Sequence, residues 1–178
     1  MKIASFDVVF QEVPGQVTLA LNISQCPNRC PGCHSPHLQE DIGYELDEAL
    51  LDSLLDRYGR DITCVCFMGG DGCVRQVMQL AAHVHAYGLL TAWYSGRQQL
   101  PDGFSCECLD YVKLGPYIEG RGSLNNPNTN QRMYRIESQQ LIDITPSFWG
   151  RSGTAPFTTT LATGSREHDT VSTPLRAG

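Results

Sequence analysis

The residues best suited to chemistry are Cys26, Cys30 and Cys33, gathered in the stretch Cys26-Pro-Asn-Arg-Cys30-Pro-Gly-Cys33 directly after the apolar run 17–23. A loop broken by Pro27, Pro31 and Gly32 can turn closely spaced thiolates toward one metal centre. The count matters as much as the spacing. A structural zinc or an ordinary electron-transfer cluster takes four protein ligands and is closed, whereas three cysteines leave one coordination position for a substrate or cofactor. The thiols alone leave two readings open: an iron–sulfur centre with a free position, or a structural zinc completed by His34, His37 or a distant cysteine.

Two further segments carry suitable groups. Gly69-Gly70-Asp71 follows the apolar run 62–68, where glycines let backbone approach a bound cofactor and Asp71 can accept charge-assisted hydrogen bonds from an ammonium, with a plain tight turn before a helix as the alternative. Ser95-Gly96-Arg97 follows the run 89–94. There Ser95 and Gly96 suit a ribose or carboxylate and Arg97 a carboxylate, with a helix cap and a solvated arginine as the alternative.

Together Cys26, Cys30, Cys33 and the following His34, then Phe67-Met-Gly-Gly-Asp71, Tyr94-Ser-Gly96 and Asn130-Gln-Arg132, resemble the anaerobic ribonucleoside-triphosphate reductase activating proteins of the radical S-adenosylmethionine superfamily. The resemblance spans residues 1–149. Gly32, in place of the superfamily's frequent aromatic residue before the third cysteine, suits this subgroup, and Gly72 replaces a proline that often follows the acid. The resemblance implies a 4Fe-4S cluster on Cys26, Cys30 and Cys33. It also implies S-adenosylmethionine beside Gly32, His34, Gly69, Gly70, Asp71 and Ser95. The implied activity is reductive cleavage of that cofactor to place a glycyl radical on the large reductase subunit, with electrons from a one-electron donor such as a flavodoxin-like protein. Activation of another glycyl-radical enzyme and a non-catalytic zinc-binding adaptor are the alternatives.

Composition narrows the field. A formal charge of -6 disfavours a nucleic-acid surface, which needs clustered Lys and Arg. No apolar run approaches a membrane span and no signal core opens the chain, so a cytoplasmic protein with reduced cysteines is expected.

The elements that must position these residues follow from pattern. Runs 3–13, 17–23, 62–68, 89–94 and 111–114 read as strands, with Pro14-Gly15 turning the first. Asp47 is the expected N-cap of a helix carrying Leu50, Leu51, Leu54, Leu55 and Tyr58 and closed by Gly59. A second helix carries Val74, Val77, Met78, Ala81 and Val84 and closes at Gly88. Strand–helix alternation implies parallel pairing and hence an α/β fold, an open partial β/α barrel, in which ligands gather where strands end. A hairpin is expected over 133–136 and 141–144. The Ser-, Thr- and Gly-rich segment 150–178 reads as a disordered tail.

The remaining candidates have plainer readings. Cys64 and Cys66 share a strand face and read as small core residues, with a second metal site alongside Cys106 and Cys108 as the alternative. Cys73 opens the second helix, where a thiol pKa can be lowered. His83 and His85 lack the i, i+4 spacing of a helical metal pair. Lys113 and Asn130-Gln131-Arg132 have no role derivable from sequence.

Overall fold

A computed structural model describes residues 1–101, 104 and 106–149; the expected tail, 150–178, lies outside the described residues. From the N-terminus come β1 (Lys2–Val9), β2 (Thr18–Ile23), β3 (Tyr44–Glu45), α1 (Glu48–Tyr58), β4 (Cys64–Met68), α2 (Val74–Ala86), β5 (Leu90–Tyr94) and β6 (Tyr111–Leu114). The hairpin β7 (Arg132–Glu137) and β8 (Gln140–Asp143) follows. All the strands join one open sheet in the order β3-β1-β2-β4-β5-β6-β7-β8. The inner strands β2, β4, β5 and β6 are parallel. Antiparallel strands flank them on both sides, so the sheet as a whole is mixed.

Local chemistry sets the ends of these elements. Asp47 Oδ1 accepts the backbone N–H of Leu50 at 2.9 Å, the N-cap bond that starts α1. Gly59 closes α1 in right-handed conformation, its N–H donating to Leu55 O. The sequence treats 3–13 as one extended run, but pairing stops at Val9 and the chain bends until Gln16 N–H donates to Val13 O. The hairpin turn places Ser138 and Gln139 at φ 48° and 64°, the left-handed pair that a tight two-residue connection needs.

The alternation of side chains builds two different faces. Leu19, Leu21, Val65, Phe67, Trp93 and Val112 point to one face and pack beneath Leu51, Leu54 and Leu55 of α1 and Val77, Leu80 and Val84 of α2. Each such buried aliphatic side chain contributes about 1.5–3 kcal/mol. The opposite face carries Cys64, Cys66, Ala92, Tyr111 and Met133, with Val13 and Leu124 packed on it in place of α1 and α2. Cys64 and Cys66 are thus core residues, their thiol pKa values pushed up by burial. Cys108 packs against the helix-covered core, on the other face. His83 joins α2 to Asp52 of α1 at 2.6 Å, and His85 meets Asp110 at 2.9 Å. Both histidines hold elements together.

Gly70 shows how closely α2 seats against the strand ends. Its φ is +82°, and a Cβ there would lie 2.5 Å from Val77 Cγ2. Gly70→Ala combines backbone strain with overpacking, and a loss of about 2–4 kcal/mol is expected in urea unfolding.

Candidate metal centre and its cleft

The parallel strands bring the sequence-predicted segments to one rim. The cysteine loop leaves β2, Gly69-Gly70-Asp71 leaves β4, Ser95-Gly96-Arg97 leaves β5, and Gly115-Pro116-Tyr117 leaves β6. Because β2, β4, β5 and β6 are hydrogen-bonded neighbours in that order, these segments lie side by side.

The cysteine loop is an excursion pinned at its base. Gln25 N–H donates to Glu40 O at 3.1 Å and Cys26 N–H to Leu38 O at 2.9 Å. Within it Gln25 and Arg29 adopt φ of 59° and 43°, sparsely populated values that cost roughly 1 kcal/mol or more each. Gly32 takes φ +70°, and a Cβ on it would meet the Glu119 carboxylate at 3.2 Å. Cys26, Cys30 and Cys33 are half-buried and free. Ser35 N–H donates to Cys33 Sγ at 3.4 Å, and Asn28 Nδ2 to Cys26 Sγ at 3.8 Å. His34 packs on the Tyr117 ring, with 4.4 Å between centroids.

Asp71 sits at the middle of the rim. It is only 3% exposed, and both carboxylate oxygens accept from protein donors. Ser95 Oγ donates to Oδ1 at 2.5 Å; Gly96 N–H and Asn28 Nδ2 donate to Oδ2 at 2.8 and 2.5 Å. Arg97 adds its Nε at 3.7 Å from Oδ1 and donates through Nη2 to the Asp71 carbonyl at 2.8 Å. The sequence offers Asp71, Ser95 and Arg97 as separate ligand contacts; the fold joins them to one another. The Trp93 indole donates to Gly69 O at 2.7 Å and fixes the glycine turn to β5. The missing side chains of Gly69 and Gly70 face Ile23 and Val77, so these glycines allow close packing within the protein.

A cleft of about 490 Å³ opens beside the cysteine loop on the loop-covered face. Its floor is one row of the sheet: Asn22 pairs with Met68, Met68 with Tyr94, and Tyr94 with Lys113. Cys33 and His34 form part of its wall. Tyr94 is held by a hydrogen bond from its hydroxyl to Glu12 O. Lys113 is buried, its Nζ donating to Gly115 O at 2.7 Å and Ser95 O at 3.4 Å. Burial pulls its pKa from 10.5 down to about 8, against the negative charge of Asp71, Cys30, Cys33 and Cys26, which pulls it back up.

The segment Asn130-Gln131-Arg132 acquires a place here. Asn130 Nδ2 donates to Pro116 O at 2.9 Å, clamping the loop after β6 to the start of β7, while Gln131 lines the cleft. Asn28 and Tyr117 are contributors that sequence reasoning missed. Asn28 lies inside the cysteine motif, but only the folded contact with Asp71 distinguishes it from an ordinary turn asparagine. Cys73 occupies the N-cap of α2 without a side-chain capping bond.

Among the described residues no three His, Cys, Asp or Glu side chains are drawn close enough together to hold a metal ion. The cysteines therefore share a loop and a rim without forming a closed ligand set. The donor chemistry nonetheless fits a thiophilic metal group: three free thiols, N–H donors directed at two of the sulfurs, and a buried ammonium that feels the charge of all three. Among the described residues no helix is long and apolar enough to cross a membrane. Comparison of the chain with protein-family profiles, curated proteins and solved structures yields no match.

Removing the Asp71 carboxylate leaves the buried Ser95 hydroxyl and the half-buried Asn28 amide and Gly96 N–H without their shared acceptor. Asp71→Ala should lower stability by about 3–5 kcal/mol in denaturant unfolding. Lys113 gives a pH signature. Its folded pKa, about 8, lies below the ordinary 10.5, so between these values the unfolded chain binds more protons and stability rises with pH. The stability difference between wild type and Lys113→Met should grow in favour of wild type by roughly 3 kcal/mol across that window.

Proposed function

We propose that this chain is an iron–sulfur activating enzyme of the radical S-adenosylmethionine type that places a glycyl radical on an anaerobic ribonucleoside-triphosphate reductase. In this reading its open sheet is the partial β/α barrel of that superfamily and it acts in the cytoplasm. The observation that carries the reading is the arrangement of a three-cysteine loop and a glycine–glycine–acid turn at adjacent parallel strand ends, beside a cleft floored by Lys113. A zinc knuckle has no need of the second segment or of the cleft.

Cys26, Cys30 and Cys33 would hold a 4Fe-4S cluster and leave one position for S-adenosylmethionine. When bound, the pair supplies reductive cleavage of a sulfonium C–S bond and, through the carbon radical released, removal of hydrogen from a glycine Cα of the reductase.

The chain's own residues bind, orient and shield. Lys113 presents the cleft with an ammonium held by two carbonyls, suited to a carboxylate group. Asp71 holds the cysteine loop and the β5 loop together, and a ligand ammonium reaching its carboxylate would join or replace one of the present donors. His34 and Tyr117 wall the cleft with aromatic surface that displaces water. A flavodoxin-like one-electron donor completes the proposal.

The test is anaerobic loading with iron and sulfide, followed by metal analysis and incubation with dithionite and S-adenosylmethionine. Labile sulfide and 5′-deoxyadenosine are expected, together with loss of both cleavage and cluster absorbance in Cys30→Ala. One zinc with no labile sulfide overturns the reading. A glycyl radical signal formed on co-purified reductase separates this activase from one serving another glycyl-radical enzyme.

A further inference from the structure

Among the described residues, Asn28 is the one residue of the cysteine loop whose side chain hydrogen-bonds to Asp71 on the rim of the neighbouring strands. Its Nδ2 donates to Asp71 Oδ2 at 2.5 Å and to Cys26 Sγ at 3.8 Å. A carboxylate only accepts, so this contact fixes which end of the amide faces Asp71. The opposite wall is built around the same group. A Cβ on Gly96 would lie 2.3 Å from Asn28 Nδ2 and 2.9 Å from its Cγ, so residue 96 has to lack a side chain for Asn28 to sit there. Among the described residues the other carboxylate partners of Asp71, namely Ser95, Gly96 and Arg97, all follow β5.

We infer that Asn28 is a positioning residue that locks the cysteine loop onto the Asp71 carboxylate and presents an N–H to the Cys26 sulfur. Two features of the loop call for such a lock. It contains left-handed residues at Gln25 and Arg29, conformations that persist only where surrounding contacts over-determine them. Its backbone hydrogen bonds close the loop on itself at its base, Gln25 to Glu40 and Cys26 to Leu38, leaving the stretch toward Cys33 with local bonds such as Cys33 N–H to Cys30 O. Asn28 ties that stretch to β4 and β5, through an amide that serves acid and sulfur together. The part of the inference that concerns a bound cluster rests on the proposed activity; the part that concerns the loop does not.

Amide hydrogen exchange on the iron-free, reduced full chain tests the lock. Asn28→Asp keeps the size of the side chain but replaces the donor with an acceptor facing Asp71. Asn28→Ala removes the group, and Gly96→Ala displaces it from the other wall. All three should speed exchange at Cys26 and Cys33 by tenfold or more, with exchange in α2 unchanged. Wild-type protection of the loop in Asn28→Asp overturns the inference, because a merely space-filling asparagine predicts that result. In wild-type and Asn28→Ala protein loaded with iron and sulfide, loss of the N–H to sulfur should move the midpoint potential to more negative values. An unchanged potential overturns the sulfur contact. Failure of wild type to take up labile sulfide overturns the activase reading instead, and the exchange data still decide the lock.

Discussion

A buried carboxylate organises the functional end of this fold. An ionised carboxylate removed from water is tolerated only when its acceptor positions are filled, and a single loop rarely supplies enough donors. Asp71 obtains them from two directions: Asn28 from the loop after β2, and Ser95, Gly96 and Arg97 from the loop after β5. The acid itself follows β4, between them. The electrostatic requirement of one side chain therefore fixes the mutual placement of three strand ends. Parallel pairing alone would bring those loops to the same side of the sheet, but would not set their register with one another.

The cleft depends on a second constraint, the alternation of side chains along β2, β4, β5 and β6. Asn22, Met68, Tyr94 and Lys113 fall in one row because the strands pair in one register, with their neighbours Leu21, Phe67, Trp93 and Val112 turned to the helices. A one-residue slip of β6 would exchange Lys113 for Val112 and drive an ammonium into the helix-covered core. The cost of desolvating that charge there, with no carbonyls arranged to receive it, is a strong reason for a single register. Seated as it is, Lys113 meets two backbone carbonyls and the negative charge of the rim, and burial depresses its pKa without leaving it unpaired.

Most of the scaffold was legible in the sequence, since its signals are local. Asp47 announces α1 through a cap bond that spans three residues, and the apolar runs at 17–23 and 62–68 read as buried strands, within which β2 and β4 form. Proximity of the three segments to one another was legible too, because each follows a strand and the strands are parallel. The assignments within the site were not. Ser95 and Arg97 read as possible ligand contacts because sequence cannot show that Asp71, more than twenty positions earlier, already engages them. Asn28 was invisible for the same reason. The small strand β3, two residues long, carries too little pattern to be found without its partner β1. In each case the missing information was a long-range contact between polar groups, which leaves no periodicity behind.

Charge gives the site its chemical bias. The rim collects Asp71 and the sulfurs of Cys26, Cys30 and Cys33 around one buried cation, Lys113, and one half-exposed cation, Arg97, which is already committed to Asp71. Among the described residues these acidic and thiol groups share the rim without being drawn close enough together to hold a metal ion by themselves. In the proposed function, a metal group bound here would bring positive charge to the sulfurs and stabilise the thiolate form that holds it.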